Sequence, residues 1–559
     1  MFTWLRGYRA EWFRADLVAG LTVWAILVPE ALAYATIAGV SPVVGLYAAP
    51  GALILYAAFA SSKHVITGPM AATAALSAAA IAEFADGGSG AFLALTTALA
   101  LVVGLLAVAA GLLRLGFLAG FISEPVLKGF IVGLALTIAV GQVPKLFGID
   151  AGSGNFFEQL ASLVANLRDT DPTTLLVGAG SLGLVLLLRR LAPVVPGSLV
   201  AVIAGILAVA LLGLDERGVR VVGEIDRGLP SLGLPTGVAV GDYVALLGSA
   251  GGIMLIGFAE SLGAAKNYAV RFHYDVDANR ELLGLGAANL ASGLSGGMVV
   301  NGSLSKTAVN TSAGARTQAS SIIVAVLTVL TLLFLTGLFE QLPEATLAAV
   351  VIAAVVELID VPALVDLYRL YTRRLGRVYG WAARPDFIAA TAALLGVLIL
   401  DTLPGLFIGI GLSLLLLLYR ASRPHIAELG KVPGTPDQYA DLDRHPQNRA
   451  PAGITVLRVE SGLFFGNADA VRQALRQHAR QDDVRVVVVD AGSVPFIDVT
   501  AVRMLDELAA DLRRSGIQLA LAGDLGQVRD LIRLEVHDDA ALLAYPTIQA
   551  AVDDLTVQE

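Results

Sequence analysis

The chain has 559 residues, 56% of them hydrophobic and 15% charged, and a mean hydropathy of +0.74; no soluble globular core takes in that much apolar surface, and long uncharged runs read as membrane helices. A net charge of −9 with dispersed basic residues leaves no nucleic-acid footprint, and the absence of cysteine excludes disulfides and thiolate metal sites. The histidines form no HExxH pattern, and Walker A, GxSxG and complete dinucleotide motifs are missing, so an enzyme, a cofactor and a metal centre all lack support.

Arg6, Arg9 and Arg14 precede the first apolar run, which is too long for a signal-peptide core and reads as a first span. Apolar runs fall near 17–38, 41–60, 65–82, 91–113, 124–144, 173–190 and 194–213, then near 243–265, 281–295, 300–314, 317–338, 344–358, 385–402 and 404–420. They predict about fourteen segments, several shorter than the ~20 residues of a straight span. With a cytoplasmic N-terminus, the outer loops keep only Lys145, Arg168, Arg217, Arg220 and Arg227, and the other basic residues of the loops between spans fall inside. Arg369, Arg373, Arg374 and Arg377 form a basic cytoplasmic stretch expected in water or against lipid headgroups.

Residues 1–422 are thus read as the transmembrane domain, and 423–453 as a polar, proline-rich linker. Over 454–559 the β-like runs GITVLRV, GLFFGN, VRVVVVDAG and IQLALAG alternate with helix candidates near 468–480, 499–515 and 524–534. That alternation predicts a small cytoplasmic α/β domain.

Two pairs of segments match across the membrane part. ITGPMAATAA, from Ile66, aligns with the stretch around NGSLSKTAV so that Gly68 meets Gly302 and Thr73 meets Thr307. VPEALAYA aligns with FAESLGAA, placing Glu30 against Glu260. The two offsets, 302 − 68 = 234 and 260 − 30 = 230, report nearly one repeat. About seven spans per half then forces the second half to be inverted, and broken helices in equivalent positions of inverted repeats meet near the bilayer midplane. A helix is expected to start at Pro69, where a missing N–H costs nothing, and another after Gly302, with Ser303 or Ser305 as cap. Two facing N-termini, each carrying about half a positive charge, together with Lys306 in a first turn, make an anion site.

An ammonium at mid-membrane costs roughly 2.5–3.5 kcal/mol on the insertion scale, so Lys306 reads as functional; its structural alternative is a helix-holding pair with a carboxylate. Glu30 lies fourteen residues beyond Asp16, roughly 21 Å into the membrane, and is either a proton-coupling carboxyl or a permanent partner of Lys306. Glu260 is read as a Lys306 partner, an oxygen ligand for Na⁺ or a structural hydrogen-bonding group. Tyr34, one turn past Glu30, either lines the cavity or packs.

These residues resemble the sulfate permease family of anion transporters, the group that includes prestin, over nearly the whole chain. VPEALAYATIAGVSPVVGLYAA resembles the family's first-span signature and TGPMAA the start of its third. DANRELLGLGAANLASGL and GSLSKTAVNTSAGARTQ resemble its ninth and tenth spans, and FIDVTAVRML looks like a STAS domain, the module shared with anti-sigma-factor antagonists. The resemblance implies an α-helical polytopic protein of fourteen spans in a 7+7 inverted repeat, with core and gate domains, a small cytoplasmic α/β STAS domain, and a homodimer. By motif it puts Glu30, Tyr34, Pro69, Met70, Ala71, Glu260, Ser303, Leu304, Ser305 and Lys306 at substrate-binding positions. Family members often carry glutamine at the position of Glu30 and arginine at that of Lys306. The first departure adds an ionisable group and favours H⁺ symport; the second replaces a fork by a point charge. Thr500 matches the phosphorylated serine of the antagonists, against a plain helix-start role after Asp498.

The implied function is secondary active transport of a small anion in a bacterial cytoplasmic membrane, as H⁺ symport of a carboxylate such as fumarate or another dicarboxylate. The alternatives are a Na⁺-coupled bicarbonate or sulfate importer, a passive anion channel, and a membrane anchor through which the STAS domain binds a protein partner.

Overall fold

A computed structural model describes residues 2–5, 7–85, 88–150, 152, 154–192, 195–225, 228–369, 384–400, 402–481, 483–523, 526–535 and 542–557. Arg6, Arg227 and, in the basic stretch, Arg373, Arg374 and Arg377 lie outside the described residues. The chain divides into two compact units: residues up to 369 with 386–413, and the chain from 414 onward.

A helix occupies every apolar run. The first half holds α1 (Phe13–Ile37), α2 (Pro42–Phe59), α3 (Ala71–Ile81), α4 (Gly90–Leu112), α5 (Glu124–Phe147), a short amphipathic α6 (Phe156–Asn166), α7 (Pro172–Leu191) and α8 (Gly197–Leu212). The second half holds a one-and-a-half-turn α9 (Val240–Ala245), α10 (Leu247–Phe272), α11 (Ala278–Leu294), α12 (Leu304–Ser312), α13 (Ala319–Phe334), α14 (Glu344–Val356), α15 (Val361–Arg369), α16 (Pro385–Leu400) and α17 (Thr402–Ala421). Among the described residues, eight helical stretches are long and apolar enough to cross a membrane: α1, α2, α4, α5, α7, α10, α17 and the stretch Glu344–Arg369. α3, α8, α13 and α16 are shorter apolar helices.

Serine and aspartate side chains start several of these helices. Ser89, Ser123, Asp171 and Asp277 accept hydrogen bonds from first-turn N–H groups of α4, α5, α7 and α11, supplying the partners that a helix start lacks. The helices pack in two groups. α1–α4 pack with α10–α13, and α5, α7, α8 and α14 pack with one another. Close approach near the centre needs glycine: a Cβ on Gly45 of α2 would lie 2.0 Å from the carbonyl oxygen of Ala31 in α1.

Within the first group the chain is extended in two places, and these pair. β1 (Ile66–Gly68) and β2 (Asn301–Ser303) run antiparallel with Ile66 opposite Ser303, Thr67 opposite Gly302 and Gly68 opposite Asn301. Antiparallel pairing of matched segments is what two copies related by a twofold axis in the membrane plane produce. Non-helical backbone at this depth persists only when its polar groups are satisfied inside the protein. Side chains complete what the short ribbon leaves open. Asn289 bonds both the N–H and the C=O of Val300, Asn310 Nδ2 donates to the His64 carbonyl, and Gln318 Nε2 donates to those of Ser62 and Val65.

The second unit carries a six-stranded sheet of order β4-β3-β5-β6-β7-β8, with β3 (Ile426–Lys431), β4 (Tyr439–Asp441), β5 (Ile454–Val459), β6 (Val486–Asp490), β7 (Gln518–Ala522) and β8 (Leu542–Tyr545). β5 to β8 are parallel, and β3 is antiparallel to β4 and β5. The helices are α18 (Ala468–Ala479), α19 (Val499–Arg514), α20 (Gly526–Glu535) and α21 (Ile548–Val557). Two expectations are corrected here. The 423–453 stretch is not a linker: it supplies β3 and β4, whose Ala427, Leu429 and Tyr439 are buried, while prolines at 424, 433 and 436 flank the strands and hide the alternation. GLFFGN is a turn, closed by Asn467 Oδ1 on the Phe464 N–H, and Leu463 bridges to Ile497 in the segment before α19.

Candidate functional site

The β1–β2 pair ends where two helices begin. Ser303 caps α12, its Oγ accepting from the Lys306 N–H at 3.2 Å. α3 starts at Ala71 rather than at Pro69. Met70 is still extended (φ −138°, ψ 149°), and Pro69 turns its carbonyl toward Lys306 Nζ at 3.1 Å, so winding begins only beyond that contact. No side chain caps α3, and its first-turn N–H groups keep the partial positive charge of a helix start.

Lys306 is 2% exposed. Its ammonium lies 2.8 Å from Glu30 Oε2, donates to the Pro69 carbonyl and sits 5.1 Å from the centre of the Tyr34 ring. Glu30 projects from α1 immediately after Pro29, which interrupts the helical hydrogen-bond ladder by lacking an N–H. A carboxylate, two helix starts and an ammonium thus converge. Glu260, on α10, accepts from Asn301 Nδ2 at 3.2 Å; the Lys306 partner is Glu30, not Glu260.

All of this borders a cavity of about 740 Å³ between the two helix groups. Glu30, Tyr34, Met70, Ala71, Glu260, Ser303, Ser305 and Lys306 line it. Pro69 is present through its carbonyl, and Leu304 is half exposed and does not line the cavity. The cavity also reaches Val18 on α1, twelve residues before Glu30, or roughly 18 Å along the helix. The facing wall brings in side chains that the sequence reading missed: Arg189 at the end of α7, paired with Glu357 just beyond α14. Charged residues at the ends of apolar runs look like ordinary snorkelling ends, so only their shared proximity to the cavity marks them. Asn289, Asn301, Asn310 and Gln318 were missed too, although each is an amide within or beside an apolar run and is therefore costly without a role.

Thr500 lies elsewhere, exposed in the first turn of α19 in the second unit. The helix-start role belongs to Asp498, whose carboxylate accepts from the Ala501 N–H.

Fold and site together define a helical membrane protein with a charged cavity between two packed helix groups. Residues 13–376 match the sulfate permease family and residues 445–551 match the STAS domain. The chain is 36% identical over 549 residues to a protein of Mycobacterium tuberculosis named "Probable sulfate transporter", covering 97% of this chain and 96% of the relative. It is 30% identical over 585 residues to sulfate transporter 1.3 of Arabidopsis thaliana, covering 98% and 86%. Among solved structures it is similar to the murine solute carrier 26 family member A9 anion transporter in its inward-facing state, at TM-score 0.88 and 22% identity, covering 100% of this chain and 93% of that one. It is also similar to the transmembrane domain of a cyanobacterial bicarbonate transporter, at TM-score 0.61 and 24% identity, covering 72% and 99%. The chain belongs to the sulfate permease family: it is an integral membrane anion transporter with a C-terminal STAS domain, and not an enzyme.

Proposed function

We propose that the protein is a secondary active transporter that carries a small anion, a carboxylate such as fumarate or another dicarboxylate, together with H⁺ by alternating access. The observation that carries this reading is the ion pair of Lys306 with Glu30, at 2.8 Å, beside two helix starts inside the cavity. While Glu30 is ionised it is the resident anion, and a substrate must compete with it. A proton on Glu30 releases Lys306 and makes room for the substrate's charge, so proton and anion bind together. Charge counting supports the same coupling. Glu30, Glu260 and Glu357 against Arg189 and Lys306 give the lining a formal charge of 2 − 3 = −1, so an anion alone would meet net repulsion. The cavity is lined from both helix groups, which suits rocking of one group against the other around a fixed site. We place the N-terminus and the STAS domain in the cytoplasm of a bacterium and the working unit as a homodimer. A phosphate on exposed Thr500 would be the regulatory input.

A second reading has its own observation. Glu260 is held by Asn301 and not by Lys306, which leaves carboxylate oxygen for a cation, as Na⁺-coupled import of bicarbonate or sulfate requires. Proteoliposomes holding the full chain separate the two. An inward proton gradient should drive fumarate uptake, and Glu30→Gln should lose that dependence while retaining fumarate counterflow. Uptake that ignores pH and requires Na⁺ would favour the second reading, and non-saturating currents would show a channel.

A further inference from the structure

The cavity carries two ion pairs, one on each wall. On one wall Lys306 of α12 meets Glu30 of α1; on the other Arg189 of α7 meets Glu357 beyond α14. Their surroundings differ. The side chains of Lys306 and Glu30 are 2% and 11% exposed, those of Arg189 and Glu357 39% and 47%. A half-exposed pair is held weakly and exchanges its partner cheaply, whereas a dry pair does not. Arg189 is also oriented: its guanidinium donates to the Ala353 carbonyl at 3.3 Å, which keeps it on the cavity wall. A guanidinium presents a planar fork that matches a carboxylate or sulfate edge, which the ammonium of Lys306 cannot do.

We propose that Arg189 is a second anion contact, which gives up Glu357 to take the far charged group of a substrate whose near group is held at Lys306 and the helix starts. The site then selects dianions over monoanions, and the bound dianion ties the two helix groups together across the cavity. Glu357 acts as the internal competitor at this end, as Glu30 does at the other. The inference rests on the anion-carrying reading above but needs no proton coupling, so it is tested by equilibrium binding at one pH.

Purified full chain would be titrated with fumarate and succinate as two-group dianions and with nitrate and bicarbonate as monoanions, with binding read by calorimetry. Arg189→Gln should weaken dianion binding about tenfold, the worth of one charge-assisted contact, and shift monoanion binding less than about twofold. Arg189→Lys should recover only part of the loss, because the fork is gone. Glu357→Gln should tighten dianion binding severalfold by removing the competitor, and this arm stands even where Arg189→Gln does not fold. Equal weakening for both anion classes, or a Glu357→Gln protein that binds dianions no better than the parent, overturns the proposal while leaving the transporter reading intact. A parent chain that binds none of the four anions overturns both.

Discussion

Lys306 and Glu30 lie 2.8 Å apart with almost none of either side chain in water, whereas Asp511 of the sheet domain sits between Arg476 and Arg514 with a third or more of each side chain exposed. Both are acid–base contacts, yet the physics differs. In the cavity, neither charge can exchange its partner for water, so the pair persists until a proton or another ion replaces one member. On the sheet domain, water and salt compete at every moment, and the contact contributes little. The same residue types therefore make a switch in one region and a solvated surface in the other. Exposure decides which.

The sharpest way to break the comparison is to remove Lys306. Lys306→Ala leaves Glu30 buried without its cation, at a cost of about 3–5 kcal/mol for breaking such a pair from one side. Transport should be lost and the thermal midpoint in detergent should fall. The double variant Lys306→Met with Glu30→Leu should regain most of the midpoint, because no charge is left stranded, while counterflow stays absent. A Lys306→Ala protein of parental stability and parental transport would make the cavity pair no different from the surface one.

Next in size is Gly302→Ala, which leaves every charge in place and disturbs only the backbone that positions them. A Cβ there would sit 2.2 Å from Ser261 Oγ, so α10 and the β1–β2 pair must separate. Overpacking of this kind costs roughly 1–3 kcal/mol, and the expected outcome is a modest loss of stability with a disproportionate loss of transport. Ser261→Gly should restore part of it. Parental transport in Gly302→Ala would show that the spacing of the two helix starts does not matter.

A smaller effect belongs to Asp490, at the end of β6, whose carboxylate takes Arg458 Nε at 2.7 Å and the Gly492 N–H at 3.0 Å and is 9% exposed. Asp490→Ala should lower the stability of the sheet domain by about 1–3 kcal/mol through the stranded Arg458 and the unpaired N–H. Faster amide hydrogen exchange in β6 of the full chain would report it, with transport-site exchange unchanged.

How much of this was legible beforehand follows from the range of the interactions. The membrane helices could be read because hydrocarbon demands long apolar runs, and the paired breaks because a repeat leaves two matching interruptions. The position of Lys306 after Ser303 in a first turn was local and could be read. Its partner was not. Glu30 and Glu260 are equally good candidates in one dimension, and the choice depends on how α1, α10 and α12 pack in three: Lys306 reaches Glu30, and Asn301 takes Glu260. Arg189 and Glu357 were invisible for the same reason, since 168 residues separate them in the chain. The strands β3 and β4 failed for a local reason: six and three residues between prolines are too short a pattern to outweigh the turn signals around them.

Asp511 gives the smallest expected effect and the cleanest check on the role of water. A hydrogen bond from Arg514 is the largest effect and holds its carboxyl below the ordinary value of 3.8; desolvation opposes it, and a hydrogen bond from Arg476 and both positive charges add to the lowering. A carboxyl lowered on folding stabilises the fold only where it is ionised, so its contribution is present above the ordinary carboxylate range and disappears as pH falls through the folded value. Asp511→Asn should therefore slightly speed amide exchange in α19 of the full chain, by the same small factor anywhere in the neutral range. The difference should fade as pH falls through the folded value and shrink in about 1 M salt. Glu30→Gln offers the counterpart under the same conditions: with no water between the charges, its effect on the exchange of α1 and α12 should survive the salt. If salt erased both differences alike, the Lys306–Glu30 pair would be solvated after all, and a proton would have no privileged part in opening it.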